Sequence, residues 1–502
     1  MSAAGLRGRA GTPLRRALEE TGPIGSTTRQ LSDRLGAPEP ELARRLESLE
    51  ASGDVVRLGR GLWVLPAYRE LTASDEFVGP AEYVERFVQE GGPSLGKYRG
   101  PITFSANTNQ PIHRWWPYVQ GYSSEFVASV VEQSGLARGS RIHDPFAGSG
   151  TTLVEARRAG MAASGWEVLE PAALAARVKT RFDLDAGALR RAARSMLRRA
   201  ERRRAGPPPF LRETRHQFPP STLGELTRLG AVLPPDGRPV DEALRVAFGA
   251  TLIPVSYLRR SPCLGYRPRR SGPTRSAFVE FSARAEAIAT DLEQLDGGRR
   301  SWGPPVGVVR GDARQLTLPE GSVDLVVTSP PYVNGMDYVM NYKLDLAWLG
   351  YASSYAELAA LRQASVACDN LPRAEAGRYT HRQDLPDPWL REILSRISEN
   401  VARKGSYRRD DADGIVLRYF LDLVPVLRSV ARGLRPGGRA VVVVGDSLLA
   451  GTYVPGDLLL ARLGRAEGLR VAGVDVARTR RSGQRRSFSL RESVVTLERP
   501  AS

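Results

Sequence analysis

Between Arg141 and Thr151 a short apolar strand runs directly into the turn Asp144-Pro145-Phe146-Ala147-Gly148-Ser149-Gly150, and residues 151–159 continue as a helix. The alternation then repeats. Residues 162–168 read as a second strand and 171–181 as a second helix; after a long interruption, strands resume at 306–310, 323–328, 439–444, 469–476 and 493–497. Seven strands separated by helices predict an α/β fold built on a mostly parallel sheet with helices on both faces.

At 502 residues the chain has room for about three domains. Near the start, Leu14 and Leu18 fit one helix, Leu31 and Leu35 a second, and Leu42, Leu46 and Leu49 a third, with turn chemistry at Gly36-Ala37-Pro38. Val55, Val56 and Leu58, the turn Gly59-Arg60-Gly61 and residues 62–65 then read as two short strands. Three helices and a hairpin resemble a winged helix-turn-helix, expected to fill 1–70. Its third helix carries Arg44 and Arg45 but also Glu39, Glu41, Glu47 and Glu50, a poor match to phosphates, so protein docking stays open beside DNA contact.

Residues 71–135 form a linker with an aromatic cluster at His113-Arg114-Trp115-Trp116-Pro117-Tyr118. The sheet is assigned to 136–185 and 303–502, and 186–302 is inserted into it. That insertion opens with Arg190, Arg194, Arg198 and Arg202 at four-residue steps, flanked by Arg191, Arg199, Arg203 and Arg204. A second basic knot, Arg259, Arg260, Arg267, Arg269, Arg270 and Arg275, is interleaved with Tyr257 and Tyr266. The first run also reads as a solvated helix face; together the two make 186–302 the leading candidate for target recognition. A second interruption, about 333–412, is mixed in charge and is the rival.

The balance of 72 Lys+Arg against 55 Asp+Glu, a net +17, favours a polyanionic partner, most simply nucleic acid. Cys263 and Cys368 supply neither a four-thiolate zinc site nor a disulfide framework, and four scattered histidines make no ligand cluster; no metal and a reducing cytoplasm are expected. Residues 1–20 carry arginines without an apolar core. No apolar stretch approaches the roughly 20 residues a bilayer requires, so secretion and membrane insertion are not expected.

The glycine-rich turn suits a ligand, since Gly148 and Gly150 let backbone approach closely and the next helix offers its N-terminal amides. A P-loop requires Lys after the last glycine, where Thr151 stands; a dinucleotide fingerprint requires Gly or Ala where Leu153 stands. S-adenosylmethionine (AdoMet), which has no pyrophosphate to cradle, fits better, with Glu167 placed for ribose hydroxyls. Taken alone the turn is a weak signal. The fourth strand, however, ends in Thr328-Ser329-Pro330-Pro331-Tyr332. Two prolines at the carboxyl end of a parallel strand cannot extend the ladder and turn the Ser329 and Pro330 acceptors toward the ligand crevice. Accepting both protons of a base's exocyclic amine, through Ser329 Oγ and the Pro330 carbonyl, favours a pyramidal, more nucleophilic nitrogen, while Tyr332 offers a stacking face.

The two motifs together resemble the signature pair of the AdoMet-dependent amino-group DNA methyltransferases. The resemblance implies a class I methyltransferase, Rossmann-like seven-stranded sheet whose last strand inserts antiparallel. It further implies that Phe146, Gly148 and Gly150 form the AdoMet loop, that Asp144 faces the methionine moiety, that Glu167 holds the ribose and Asp312 the adenine amine. His113 to Tyr118 with Gly121 to Phe126 resembles the segment that closes over the methionine end. The site would then comprise Ser329, Pro330, Pro331 and Tyr332 for catalysis and Asp144, Phe146, Gly148, Gly150, Glu167 and Asp312 for the cofactor. Double-stranded DNA with a flipped base is the implied substrate.

Ser-Pro-Pro-Tyr resembles enzymes that methylate cytosine N4, although those often place it before the glycine-rich motif, and here it follows; adenine N6 is the alternative. Direct in-line transfer without a covalent intermediate is expected. RNA or protein-amide methylation, or a winged-helix regulator with a non-catalytic AdoMet domain, are the remaining alternatives. A restriction or other phage-defence partner and solitary modification stay equally open.

Overall fold

The computed structural model describes residues 13–21, 26–58, 62–66, 79–118, 121–261, 263–267, 275–296, 302–333, 335–367, 386–404, 411–481 and 489–501. The expected turn Gly59-Arg60-Gly61, together with Arg269, Arg270 and, from the 333–412 interruption, residues 334, 368–385 and 405–410 with Cys368 among them, lies outside the described residues.

Helices Pro13–Thr21, Thr28–Leu35 and Glu39–Ala51 pack with short antiparallel strands Ser26–Thr27, Val56–Leu58 and Leu62–Val64. Thr27 and Gln30 make a reciprocal capping box that starts the second helix, and Gly36 at φ +64° ends it. Leu14, Leu18, Leu31, Leu42, Leu46 and Trp63 give this unit an apolar core of its own.

The main sheet has eight strands: β1 (Gly96–Lys97), β2 (Arg141–Asp144), β3 (Ala162–Glu167), β4 (Gly307–Arg310), β5 (Val323–Thr328), β6 (Leu434–Gly445), β7 (Arg470–Arg481) and β8 (Ser489–Glu498). Their order is β1-β7-β8-β6-β5-β2-β3-β4. All neighbours pair in parallel except β8, which runs antiparallel to both β6 and β7. The seven expected strands therefore stand in the class I methyltransferase order, with the last strand inserted antiparallel, and the two-residue β1 adds an eighth at the edge. Apolar runs such as Val326-Val327 and Val441-Val442-Val443-Val444 suit strands covered on both faces. From β2 the chain proceeds outward to β3 and β4, then returns to β5 on the other side of β2. That reversal opens a crevice at the carboxyl ends of β2 and β5, where open parallel sheets bind ligands.

Helices α1 (Thr151–Arg158), α2 (Glu170–Lys179), α3 (Ala186–Glu201), α4 (Pro220–Gly230), α5 (Pro239–Leu252), α6 (Ala277–Asp296), α7 (Ala412–Gly433) and α8 (Gly456–Ala466) account for most of the remaining order. Asp185 caps α3 by accepting from Ala188 N at 2.7 Å. Leu189, Ala193, Met196 and Ala200 form the inward stripe of α3, leaving Arg191, Arg194, Arg198 and Arg202 exposed. Leu189 and Met196, with Phe248 of α5 and Phe281 of α6, share one core with Leu174 and Val178 of α2. The boundary at 186 is thus one of chain order rather than of packing: the inserted helices are built onto the flank of the sheet. Among the described residues no helix is long and apolar enough to cross a membrane.

Candidate active site

The two signature motifs meet through Asp144. Its buried carboxylate ends β2 and accepts from Thr328 Oγ1, at the end of β5, at 2.6 Å, from Tyr122 OH at 2.8 Å and from Phe146 N at 3.0 Å. Burial pushes this carboxyl up and those hydrogen bonds pull it back. Asp144 therefore welds the strand ends and the loop together.

Above the weld lies an open cavity walled by Phe146, Gly148, Trp166, Glu167, Asp312 and Ser329, with Pro331 and Val339. Of the residues expected at the cofactor, four stand on this wall: Phe146, Gly148, Glu167 and Asp312. Two do not. Asp144 lies off this wall, its carboxylate engaged by Thr328, Tyr122 and the Phe146 amide. Gly150 is required for packing: at φ +85°, a Cβ there would come within 2.9 Å of Ala176 Cα on α2. Gly148, at φ +51°, presents its N–H to Glu167 Oε2 at 2.9 Å, while Leu169 N donates to Oε1 at 2.8 Å. Burial raises the Glu167 carboxyl to about 7 against the pull of these two amides. Asp312 caps a short helical turn at 313–315 and is clamped by Arg314 at 2.6 Å.

A smaller cavity adjoins the first, and Ser329, Tyr122, Gly121 and Tyr338 line both. Tyr332 belongs to this second cavity, where its hydroxyl donates to Glu492 Oε1 at 2.6 Å. The missing side chain of Gly445 makes room for the ring, since a Cβ there would lie 2.9 Å from it. Pro330 borders neither cavity; its buried ring faces Pro145 and the α7 residues Leu423 and Leu427. Gly121 and Arg478 connect the smaller cavity to a cleft of about 780 Å³ bordered by Trp116, Tyr118, Arg260 and Asp345.

Groups without a motif hold this arrangement in place. Lys179, fully buried on α2, donates to Ser149 Oγ at 3.2 Å and to the Trp116 carbonyl at 3.0 Å, and burial lowers its ammonium to about 7. Buried Asp291 on α6 accepts from Ile112 N at 2.9 Å, Trp115 Nε1 at 2.7 Å and Arg114 Nε at 3.1 Å. Tyr118 stacks on Tyr342 with centroids 5.5 Å apart and planes 18° apart, and the Arg260 guanidinium lies over the Tyr342 ring, 4.3 Å from its centroid. The expected closing segment is thus anchored by the inserted helices. Tyr338, Trp166, Arg362 and residues 364–367 complete the first cavity and carried no sequence signal.

Part of the basic insertion is spent internally. Arg190 pairs with Glu286 at 2.7 Å and with Glu293, and Arg260 pairs with Asp345. Among the described residues no group of three His, Cys, Asp or Glu side chains is placed to hold a metal.

No protein-family model matches the chain. It is 24% identical over 451 residues, covering 80% of this chain and 88% of the relative, to type II methyltransferase M.BsoBI of Geobacillus stearothermophilus. It is 26% identical over 416 residues, 75% of this chain and 83% of the relative, to type II methyltransferase M.AvaI of Nostoc sp. strain PCC 7120. A solved SAM-dependent methyltransferase from Methanosarcina mazei aligns over 74% of this chain and 98% of that one at 9% identity and a TM-score of 0.26. The fold rests on the strand order instead.

Proposed function

We propose that the chain is a site-specific DNA methyltransferase that moves a methyl group from AdoMet to an exocyclic amine of a flipped-out base in double-stranded DNA, with cytosine N4 as the acceptor. The observation that carries this is the placement of Ser329 on the wall common to two cavities, one bearing carboxylates for a cofactor, the other an aromatic ring for a base. Similarity along most of the chain to two type II methyltransferases supports it.

The first cavity fits AdoMet by its chemistry. Phe146, Trp166, Val168 and Val339 offer apolar surface for an adenine ring. Glu167 would take the ribose hydroxyls and Asp312 the adenine amine, while Gly148 lets the loop approach closely. Bound there, AdoMet supplies an electrophilic methyl: a nitrogen–carbon bond forms as the sulfur–carbon bond breaks, S-adenosylhomocysteine leaves and the nitrogen sheds one proton.

The chain's own contribution is positional. Ser329 Oγ, on the wall common to both cavities, accepts an amine proton, which helps free the nitrogen lone pair from the ring, and the Tyr332 face steadies the base. Tyr122 and Tyr338, shared by both cavities, exclude water between donor and acceptor. The inserted helices, with their outward arginines, read the target, and the cleft leading to Gly121 admits the flipped nucleotide.

Adenine N6 is the second reading, favoured by the order of the two motifs along the chain. Mass spectrometry of nucleosides from DNA incubated with the enzyme and AdoMet tests both. N4-methylcytosine is expected; N6-methyladenine moves the acceptor to the second reading. Unmodified DNA, with label passing to RNA or protein, overturns the assignment.

A further inference from the structure

The smaller cavity beside Ser329 holds an uneven set of polar groups. Its carboxylate, Glu492, is already engaged by the Tyr332 hydroxyl on one oxygen and by Arg478 on the other. The other cation on its wall, Arg480 of β7, is only partly engaged. One terminal nitrogen donates to the Asp446 carbonyl at 2.8 Å, and the guanidinium lies 5.7 Å from the Tyr332 ring centroid. Its Nε is buried and, among the described residues, has no hydrogen-bond partner. A buried guanidinium N–H without an acceptor is a cost that an arriving ligand can relieve.

Arg480 is also held from behind. The Asp446 side chain is fully buried, accepts from the Tyr453 hydroxyl and pairs with Arg491 at 3.1 Å. Arg491 in turn pairs with buried Asp457 at 2.9 Å. The carbonyl that grips Arg480 thus belongs to a residue locked on several sides.

We infer that Arg480 is the base-selecting residue, and that it selects cytosine by donating to the ring acceptors beside the amine. The inference rests on the methyltransferase reading and deepens it. With the exocyclic amine at Ser329, the edge of a cytosine continues through N3 and then O2, two adjacent acceptors. An adenine continues through N1 and then a carbon-bound hydrogen. Guanine places a ring N–H donor next to its amine, facing a donor. Only cytosine presents an oxygen to a guanidinium in addition to a ring nitrogen, and a charge-assisted bond of that kind is the stronger sort. A site built to donate rejects the ligand that leaves its donor unpaired.

The test uses the full-length enzyme. Once the wild-type product has located the modified site, duplexes carrying cytosine or adenine at that position measure the preference between them. Arg480→Met is expected to lower that preference at least tenfold, and Arg480→Gln, which keeps one amide donor, at least threefold. S-adenosylhomocysteine affinity by calorimetry should stay within twofold in both, because Arg480 is off the cofactor wall. An unchanged cytosine preference in Arg480→Met overturns the inference; if that variant fails to fold, an undiminished preference in Arg480→Gln does so. A wild-type product of N6-methyladenine removes the Arg480 assignment while keeping the enzyme. Wild-type enzyme that leaves DNA unmodified removes the methyltransferase reading beneath it.

Discussion

Glu167 accepts two backbone amides while burial holds its carboxyl near 7, so it titrates in the range where the enzyme would work. Its folded value lies above the ordinary 4.5, which means that protonation stabilises the folded chain: the contribution is full below 4.5 and is lost as the pH rises through about 7. A ribose hydroxyl donating to Glu167 favours the opposite, ionised form. Cofactor binding should therefore release protons below pH 7, and S-adenosylhomocysteine affinity should weaken by up to about tenfold per pH unit as the pH falls. Calorimetry in buffers of different ionisation enthalpy measures both effects, and Glu167→Gln should flatten the profile. A profile that survives in Glu167→Gln assigns the titration to Lys179, the other buried group near 7. Gly150 makes a second argument at this scale. Its φ of +85° and the approach of Ala176 act together, whereas Gly437, at φ +74°, has open space around it. Gly150→Ala should cost about 1–3 kcal/mol more than Gly437→Ala in denaturant unfolding, the difference being the steric part; equal losses would leave only the backbone term.

At the scale of elements, α6 governs the segment around residues 112–116 through one carboxylate. Asp291→Ala would leave Ile112 N, Trp115 Nε1 and Arg114 without their acceptor, at a cost of about 3–5 kcal/mol. Because Trp116 and Tyr118 follow directly, a higher KM for AdoMet should accompany the lower thermal midpoint; lost stability with an unchanged KM would uncouple α6 from the site. Nothing in the spacing around Asp291 announced this, since its partners lie about 180 residues away and meet it only through packing. The same holds for Glu492, Tyr338 and residues 364–367. The glycine-rich turn and Ser329 to Tyr332 were legible because each is a run of a few consecutive residues, and the strands because apolar runs of four to six residues leave few other folds. A local motif does not say which side of a turn faces the ligand, which is why Asp144 and Gly150 belong to the support and not to the wall. Lys179 did carry a signal of another kind: lysine makes up only four of the 72 basic residues, and this one stands in an alanine-rich helix.

Across the whole molecule, the net charge of +17 divides into arginines that build the protein and arginines left facing water. Arg177, Arg245, Arg260, Arg314 and Arg491 are half-buried or buried in ion pairs, so they add little to a phosphate-binding field. On α3, Arg190 is taken by Glu286 and Glu293, while Arg194, Arg198 and Arg202 lie exposed one helical turn apart. An exposed row of that pitch can follow a phosphate backbone, and each phosphate it neutralises releases counterions. Replacing Arg194, Arg198 and Arg202 together with glutamine should flatten the slope of log affinity for DNA against log salt by up to about 2.7, at about 0.9 per contact, without changing S-adenosylhomocysteine affinity. Filter binding on duplex DNA across a salt series reads that slope. A slope that stays at the wild-type value would move the DNA track off α3 and toward the cleft where Arg478 stands, because the total charge removed is the same wherever the DNA lies and only arginines in contact with phosphates alter the slope.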